Sequence, residues 1–196
     1  MPKNAGHGQS AILSDSDYSK IFKQVTNPKH KLFIQIAKYT GERWGAITQL
    51  RVSDVYSDAA RRVPCSHITF RAATRKADPS GKRETRQVPI CDALKTILCA
   101  YAVPASGWLF PNRLDESQHY SLKNADNFFR AALERAGLDN EGISTHSTRR
   151  TMITKLAQSG IGVTTIQCIT GHHSLAALQR YIQISDEQVK QALSLV

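Results

Sequence analysis

Apolar residues recur every three or four positions along most of this chain, which is the spacing of amphipathic helices. A first helix is predicted after Ser14, because Ser and Asp side chains accept hydrogen bonds from the free N–H groups of a helix start. The same capping role explains the Asp15-x-Asp17 pair without a metal ion. Further helices are predicted over residues 29–39, from 44, over 91–103 and 121–136, from 144, over 163–169, from 174 and from 185.

Between residues 51 and 90 the apolar pattern changes to the alternation that is typical of half-buried strands. The predicted strands are residues 52–56, 66–73 and 85–90. The turn between the last two strands is rich in Lys and Arg. The pattern therefore predicts an α+β fold that is mainly α-helical, with a small three-stranded antiparallel sheet and a basic hairpin tip.

Domain organisation follows from the composition. Residues 1–12 are polar and contain glycine, so we expect a disordered N-terminal tail. Residues 13–196 contain no internal repeat and no linker, which predicts a single domain. The four cysteines lie far apart, without metal-ligand spacing, and predict reduced, mostly buried thiols in a cytoplasmic protein. We expect neither a signal peptide nor a membrane span.

The charge balance narrows the class of partner. The formal net charge of +10 points to a polyanion. Aromatic residues make up only 7% of the chain, so a stacking platform for single-stranded nucleic acid is not indicated. The sequence also lacks clustered carboxylates, an HExxH motif and a GxxxxGK[ST] loop. These absences argue against two-metal chemistry, zinc hydrolysis and P-loop nucleotide binding.

Residues 144–181 concentrate the side chains that could do chemistry. His146 and Arg149 lie three positions apart at a predicted helix start, where free N–H groups and the helix dipole favour a phosphate. His172 follows the next helix, and Tyr181 lies on a third. A basic helical bundle with a core tyrosine and solvated arginines would account for the same residues without a function.

These residue types suit metal-free phosphoryl transfer, in which a tyrosine attacks and fixed cations stabilise the charge on the non-bridging oxygens. Arginine suits the second task because its rigid fork binds two phosphate oxygens at once. A tyrosine hydroxyl has an ordinary pKa of about 10 and needs a proton acceptor or a strong positive field. The departing sugar oxygen needs a proton donor, which lysine or histidine can supply.

With these motifs in this order, the chain resembles the catalytic domain of tyrosine recombinases, the phage integrase family, over residues 13–185. The matching parts are TGERWGAITQL with Arg43, the hairpin TRK with Lys76, His146-x-x-Arg149, the T-G-H triplet that ends at His172, and LQRY with Tyr181. Each part alone is weak evidence, whereas all of them in this order and spacing make the resemblance specific.

The resemblance implies a role for each matched residue. Arg43 and Arg149 would clamp the scissile phosphate, and His146 and His172 would complete the charge stabilisation and proton transfer. The tyrosine of the motif would then attack the clamped phosphate.

In that scheme Tyr181 forms a 3′-phosphotyrosyl link and releases a 5′-hydroxyl. Lys76 would protonate the leaving oxygen, with Lys82 as the alternative on the same hairpin. Energy is conserved in the covalent link, so neither a nucleotide cofactor nor a metal is implied.

The resemblance further implies a site-specific DNA recombinase or integrase whose partner is double-stranded DNA. It implies assembly into dimers or tetramers on DNA, no membrane partner, and a cytoplasmic, nucleoid-associated location. Two alternatives remain open: a type IB topoisomerase-like enzyme that relaxes DNA, and a DNA-binding regulator with an idle active site.

Two features depart from the family pattern. Ala46 stands where the family often has an acidic residue, three positions after Arg43, which leaves open how Arg43 is oriented. Most members also carry an N-terminal helical DNA-binding domain. We expect residues 13–196 to form the catalytic domain alone, without such a core-binding domain.

Overall fold

The structure is a computed structural model that describes residues 10–77, 81–172, 174–179, 189–190 and 193–194. Its α-helices are α1 (Asp15–Gln24), α2 (Pro28–Thr40), α3 (Trp44–Ile47), α4 (Asp92–Ala100), α5 (Leu122–Arg135), α6 (Ser147–Gln158), α7 (Val163–Thr170) and α8 (Leu175–Gln179). Its strands are β1 (Tyr56–Asp58), β2 (Val63–Pro64), β3 (His67–Phe70) and β4 (Arg86–Pro89). The mainly helical α+β architecture is thus confirmed.

Side-chain caps define the starts of the first two helices. At α1, Ser14 Oγ accepts from the N–H of Asp17 at 3.1 Å, and the Asp17 carboxylate accepts from the N–H of Ser14 at 3.2 Å. At α2, Asn27 Oδ1 accepts from the N–H of Lys29 at 2.9 Å, and Pro28 occupies the first turn. The Asn27-Pro28 pair therefore starts a helix. Of the acidic pair, Asp17 caps α1 and Asp15 forms an ion pair with Lys155.

Helix α2 lies at the centre of the core and packs against α3, α4 and α6. The ring of Phe33, which is 1% exposed, has centroid distances of 4.9 Å to Trp44 and 5.2 Å to Phe110. Phe110 belongs to the loop after α4 and is fully buried, together with its neighbour Leu109. This loop therefore contributes two side chains to the core.

The prediction of one three-stranded sheet is wrong. The part of the chain that the structure describes has two separate two-stranded antiparallel sheets, β1–β2 and β3–β4. Residues Val52–Asp54 form a 3-10 turn, because the Asp54 carboxylate accepts from the backbone N–H of Arg51 at 2.8 Å and from the Arg71 side chain at 2.8 Å. This capping prevents the segment from extending into a strand.

Several predictions concern residues at the chain ends. Tyr181, residues 1–9 of the expected tail and most of the helix expected from residue 185 lie outside the described residues. In the rest of the expected tail, Ala11 is 9% exposed and its N–H donates to the carbonyl of Gly142 at 3.0 Å. The chain is therefore held against the domain from residue 11.

The structure bears on the cysteines and on the expected lack of a membrane span. Of the four free cysteines, Cys65 is partly buried and the other three are exposed, so the expectation that most are buried is wrong. These thiols lie at turns and on outer helix faces. Among the described residues, no helix has both the length and the apolar character needed to cross a membrane.

His30 on α2 is packed in an aromatic cluster. Its ring stacks on Phe128 with a centroid distance of 4.0 Å, and its Nε2 lies 3.0 Å from the hydroxyl of Tyr120. Burial, together with the charge of Lys29, lowers the pKa of His30 from 6.5 to about 4. The folded protein therefore keeps this imidazole neutral at mildly acidic pH.

We expect the free energy of unfolding to fall as the pH is lowered from about 6.5 to about 4. In this window the unfolded chain binds a proton at His30 and the folded chain does not, so acid favours unfolding. His30→Gln should flatten the slope, as measured by urea denaturation at a series of pH values. The same substitution at the exposed His67 serves as the control. An unchanged slope in His30→Gln would contradict the assignment.

Candidate active site

The turn between α2 and α3 brings two arginine-bearing segments together. Gly41 ends α2 in the left-handed conformation, with φ of 58°. A Cβ atom at this position would collide with the Sδ atom of Met152 on α6. Two features therefore favour glycine at position 41: the left-handed turn, and the close approach of Met152 on α6. The same helix also carries Arg149.

Four of the six predicted site residues line one cavity of about 240 Å³: Arg43, Lys76, His146 and Arg149. Trp44, Gln49, Thr145 and Leu122 also contribute to its wall. His172 contacts this group through the guanidinium of Arg149. Tyr181 lies outside the described residues. A second cavity of about 240 Å³, between α1, α2 and α6, is mainly apolar and holds none of the predicted residues.

Arg43 is the N-cap residue of α3 and is partly buried. Its backbone N–H donates to Oε1 of Glu42 at 2.9 Å. The side chain of the preceding residue thus fixes the backbone at the position from which the Arg43 guanidinium enters the cavity.

Arg149 lies on the first turn of α6 and is 5% exposed. Its Nη1 donates to the carbonyl of Gly41 at 2.7 Å, and its Nη2 donates to the carbonyl of Thr170 at 2.9 Å. These carbonyls lie at the C-terminal ends of α2 and α7, where helices leave acceptors without partners. The guanidinium is therefore held in place by two helix ends.

His172 follows the α7 C-cap residue Gly171, which has φ of 63°. Its Nδ1 lies 2.7 Å from Oγ1 of Thr170, and its Nε2 lies 3.3 Å from Nη2 of Arg149. Burial and then the charge of Arg149 lower the pKa of His172 to about 4. This imidazole is therefore neutral at neutral pH.

His146 occupies a different helix position from the one expected. The sequence predicted a helix from residue 144, whereas the structure makes His146 the N-cap residue and starts the helix at Ser147. Ser144 still contributes, because its Oγ accepts from the N–H of His146 at 3.3 Å. His146 lines the cavity and is exposed to solvent.

The pKa of His146 is also lowered, although the residue is exposed to solvent. The cavity wall removes part of its hydration, and the charges of Arg43, Arg149 and Lys76 add to this effect. Like His172, His146 is therefore more readily neutral than an ordinary histidine.

The two lysines of the hairpin occupy different surroundings. Lys76 lines the cavity, with its side chain exposed to solvent. Lys82 Nζ lies 2.7 Å from a carboxylate oxygen of Glu84, and 69% of the Lys82 side chain is exposed. The structure thus brings Lys76 to the other predicted residues and leaves Lys82 on the outer part of the hairpin.

Sequence reasoning missed three buried charged residues: Glu42 and Arg75, which line the cavity, and Arg86, which contacts Glu42. Glu42 is 1% exposed, and its Oε2 lies 2.7 Å from Nη1 of Arg86 and 3.4 Å from Nε of Arg75. Burial alone raises the pKa of this carboxyl, but Arg86, followed by the N–H group of Arg43, outweighs burial and holds it below its ordinary value. Glu42 is therefore ionised.

A signal for Arg86 was present in the sequence. In β4, Arg86 alternates with Val88, and both are buried, while Gln87 and Pro89 are exposed. A charged residue on the apolar face of a half-buried strand requires a buried counter-charge. The residue three positions after Arg43, Ala46, does not supply one, and the carboxylate comes instead from Glu42.

The chain matches the model of the phage integrase family over residues 11–188. It is 34% identical over 113 residues to a putative integrase of Pseudomonas phage Pf1, an alignment that covers 58% of this chain and 30% of the phage protein.

Solved structures show the same fold. XerA recombinase superposes with a TM-score of 0.70 at 20% identity, covering 96% of this chain and 66% of XerA. XerH site-specific recombinase bound to difH substrate superposes with a TM-score of 0.68 at 18% identity. The alignment covers 97% of this chain and 56% of the XerH chain. The chain spans only part of the length of these proteins. Because the family model covers most of its residues, the chain belongs to the phage integrase family.

Proposed function

We propose that this chain is the catalytic domain of a site-specific DNA recombinase or integrase that cleaves and rejoins double-stranded DNA through a 3′-phosphotyrosyl intermediate. The observation that carries the proposal is the convergence of Arg43, Lys76, His146 and Arg149 on one cavity. Membership of the phage integrase family and the net charge of +10 support it. A structural neighbour, XerH, was determined with its difH substrate.

The arginines act on the phosphate. Arg149 has five N–H donors, and two fixed bonds to helix-end carbonyls set the plane of its guanidinium. A cation that is fixed before the substrate arrives does not need to reorganise as charge develops on the non-bridging oxygens. Arg43, on the other side of the cavity, supplies a second positive charge.

The remaining residues move protons. Tyr181 attacks the phosphorus, and the bond between phosphorus and the 5′-oxygen breaks. The tyrosine proton passes to a neutral imidazole, for which His146 and His172 are the candidates because their pKa values are lowered. The ammonium group of Lys76 donates a proton to the 5′-oxygen. Rejoining reverses these steps, so the bond energy stays in the phosphotyrosine and the reaction consumes no nucleotide.

Exchange of strands between two duplexes requires several active sites at once. We therefore expect the chain to act as part of a dimer or tetramer assembled on DNA. A topoisomerase-like enzyme would share the chemistry without strand exchange, and a regulator with an idle site would form no covalent link.

Tyr181→Phe should abolish covalent attachment to DNA and leave DNA affinity within about twofold, because one hydroxyl is removed and the ring remains. The measurement traps protein on nicked suicide duplexes of randomised sequence and resolves the complexes on a denaturing gel. Tyr101→Phe, which removes a hydroxyl at the end of α4, serves as the control. A denaturation-resistant complex with Tyr181→Phe would show that another residue is the nucleophile.

Lys76→Ala should slow cleavage of ordinary DNA by roughly 10²–10⁴-fold, which is the usual contribution of general acid catalysis. Replacing the bridging 5′-oxygen with sulfur creates a leaving group that needs no proton, so most of the defect should disappear on that substrate. Single-turnover rates on both substrates are the measurement.

Two controls accompany the sulfur experiment. Lys82→Ala changes the other lysine of the hairpin and should cleave both substrates at close to the normal rate. Arg149→Ala should stay slow on both, because its charge acts on non-bridging oxygens. If sulfur rescues Lys82→Ala and not Lys76→Ala, the acid is Lys82. If it rescues neither, a histidine becomes the candidate acid.

A further inference from the structure

We propose that Glu42 is the positioning residue of this active site: one buried carboxylate fixes the three chain segments that carry Arg43, Lys76 and His172. The expected effect of Glu42 on the cleavage rate rests on the proposed function. Its structural part stands on contacts that exist whether or not DNA is cleaved.

The first segment is the start of α3. Oε1 of Glu42 accepts the backbone N–H of Arg43 at 2.9 Å. The side chain of Thr40 accepts the N–H of Glu42 at 3.2 Å, so Glu42 is itself anchored to the last turn of α2. The direction in which Arg43 leaves the backbone therefore depends on this carboxylate.

The second segment is the hairpin. Nε of Arg75 lies 3.4 Å from Oε2 of Glu42, and Nη1 of Arg75 donates to the carbonyl of Glu84 at 2.8 Å. Arg75 thus connects both arms of the hairpin to the buried carboxylate. Because Lys76 is the next residue in the chain, this anchor sets its place at the cavity wall.

The third segment is the end of α7. Arg86, whose Nη1 lies 2.7 Å from Oε2 of Glu42, uses Nη2 to donate to the carbonyls of Thr40, at 2.9 Å, and Ile169. Arg149 bridges the next carbonyl on each helix. The two guanidinium groups therefore cap the same two helix ends side by side, and Glu42 holds one of them.

The turn that follows α7 lies directly on these arginines. A Cβ atom on Gly171 would come within 2.9 Å of Cδ of Arg86 and 3.0 Å of Nη2 of Arg75. His172 is the next residue. Arg86 and Arg75 therefore pack against the turn that precedes His172.

A double variant can distinguish a positioning role of Glu42 from a contribution to stability alone. Removing one member of a buried ion pair leaves the other charge uncompensated, whereas replacing both members with apolar or neutral groups can restore stability. The double variant Glu42→Gln with Arg86→Met removes the anchor together with the charge of its nearest partner, while Arg75 keeps its hydrogen bond to the carbonyl of Glu84. If Glu42 acts by positioning, stability recovers in the double variant and cleavage does not.

The experiment compares the full chain with Glu42→Gln, Arg86→Met and the double variant, on a nicked duplex selected for cleavage by the unchanged protein. We expect each variant to cleave on the order of 10–100-fold more slowly, since small misplacements of reacting groups have effects of this size. DNA affinity should not fall with Glu42→Gln, because a negative charge is removed. The Tm of the double variant should exceed that of the single variants.

Asp54→Asn is the matched control. Asp54 is also a buried carboxylate, 5% exposed and 2.7 Å from the guanidinium of Arg71, but it caps the 3-10 turn. The Asp54→Asn substitution should lower the Tm of the protein and leave its cleavage rate unchanged. A double variant that regains both its Tm and its cleavage rate would overturn the proposal.

A readout without DNA keeps this inference distinct from the proposed function. In NMR spectra of the free proteins, Glu42→Gln and the double variant should shift the imidazole signals of His172 and the amide signal of Arg43, and Asp54→Asn should not. If the unchanged protein cleaves no duplex and these shifts occur, the proposed function fails and the positioning role stands. If the signals do not move, the positioning role is wrong, whatever the cleavage data.

Discussion

The site depends on the burial of several guanidinium groups next to one another. Arg75, Arg86 and Arg149 are each at most 7% exposed, and like charges this close repel one another in a medium of low dielectric constant. Glu42 supplies one full negative charge. The C-terminal carbonyls of α2 and α7 supply partial negative charges, because the helix dipole points its negative end there. The site therefore forms where two helix ends converge, and its remaining positive charge faces the cavity.

The helices were predictable because their information is local. Apolar spacing and side-chain caps at Ser14 and Asn27 lie within a few residues of the elements that they define. The sheet was predicted wrongly because the conformation of Val52–Asp54 depends on the Asp54 carboxylate and its partner Arg71, which is 17 positions away. An alternating apolar pattern cannot reveal that a side chain will close a 3-10 turn.

The same distinction explains which site residues could be found. The motif order supplied Arg43, His146, Arg149 and His172, and the fold brings them together because Gly41 allows α6 to approach α2. Glu42 escaped notice because its partners Arg75 and Arg86 lie 33 and 44 positions further along the chain. The choice of Lys76 over Lys82 likewise depends on a long-range contact, the anchoring of its neighbour Arg75.

In the proposed reaction, the phosphate that enters the cavity would link DNA binding to proton transfer. Burial and nearby cations hold the pKa of both His146 and His172 below the ordinary value. A phosphodiester in the cavity brings a negative charge close to both rings, which favours their protonated forms and raises their pKa values. In the proposed reaction the imidazoles would thus be neutral before DNA arrives and would become better proton acceptors once the phosphate is in place. The negative charge that the arginines bind would therefore also prepare the histidines to act.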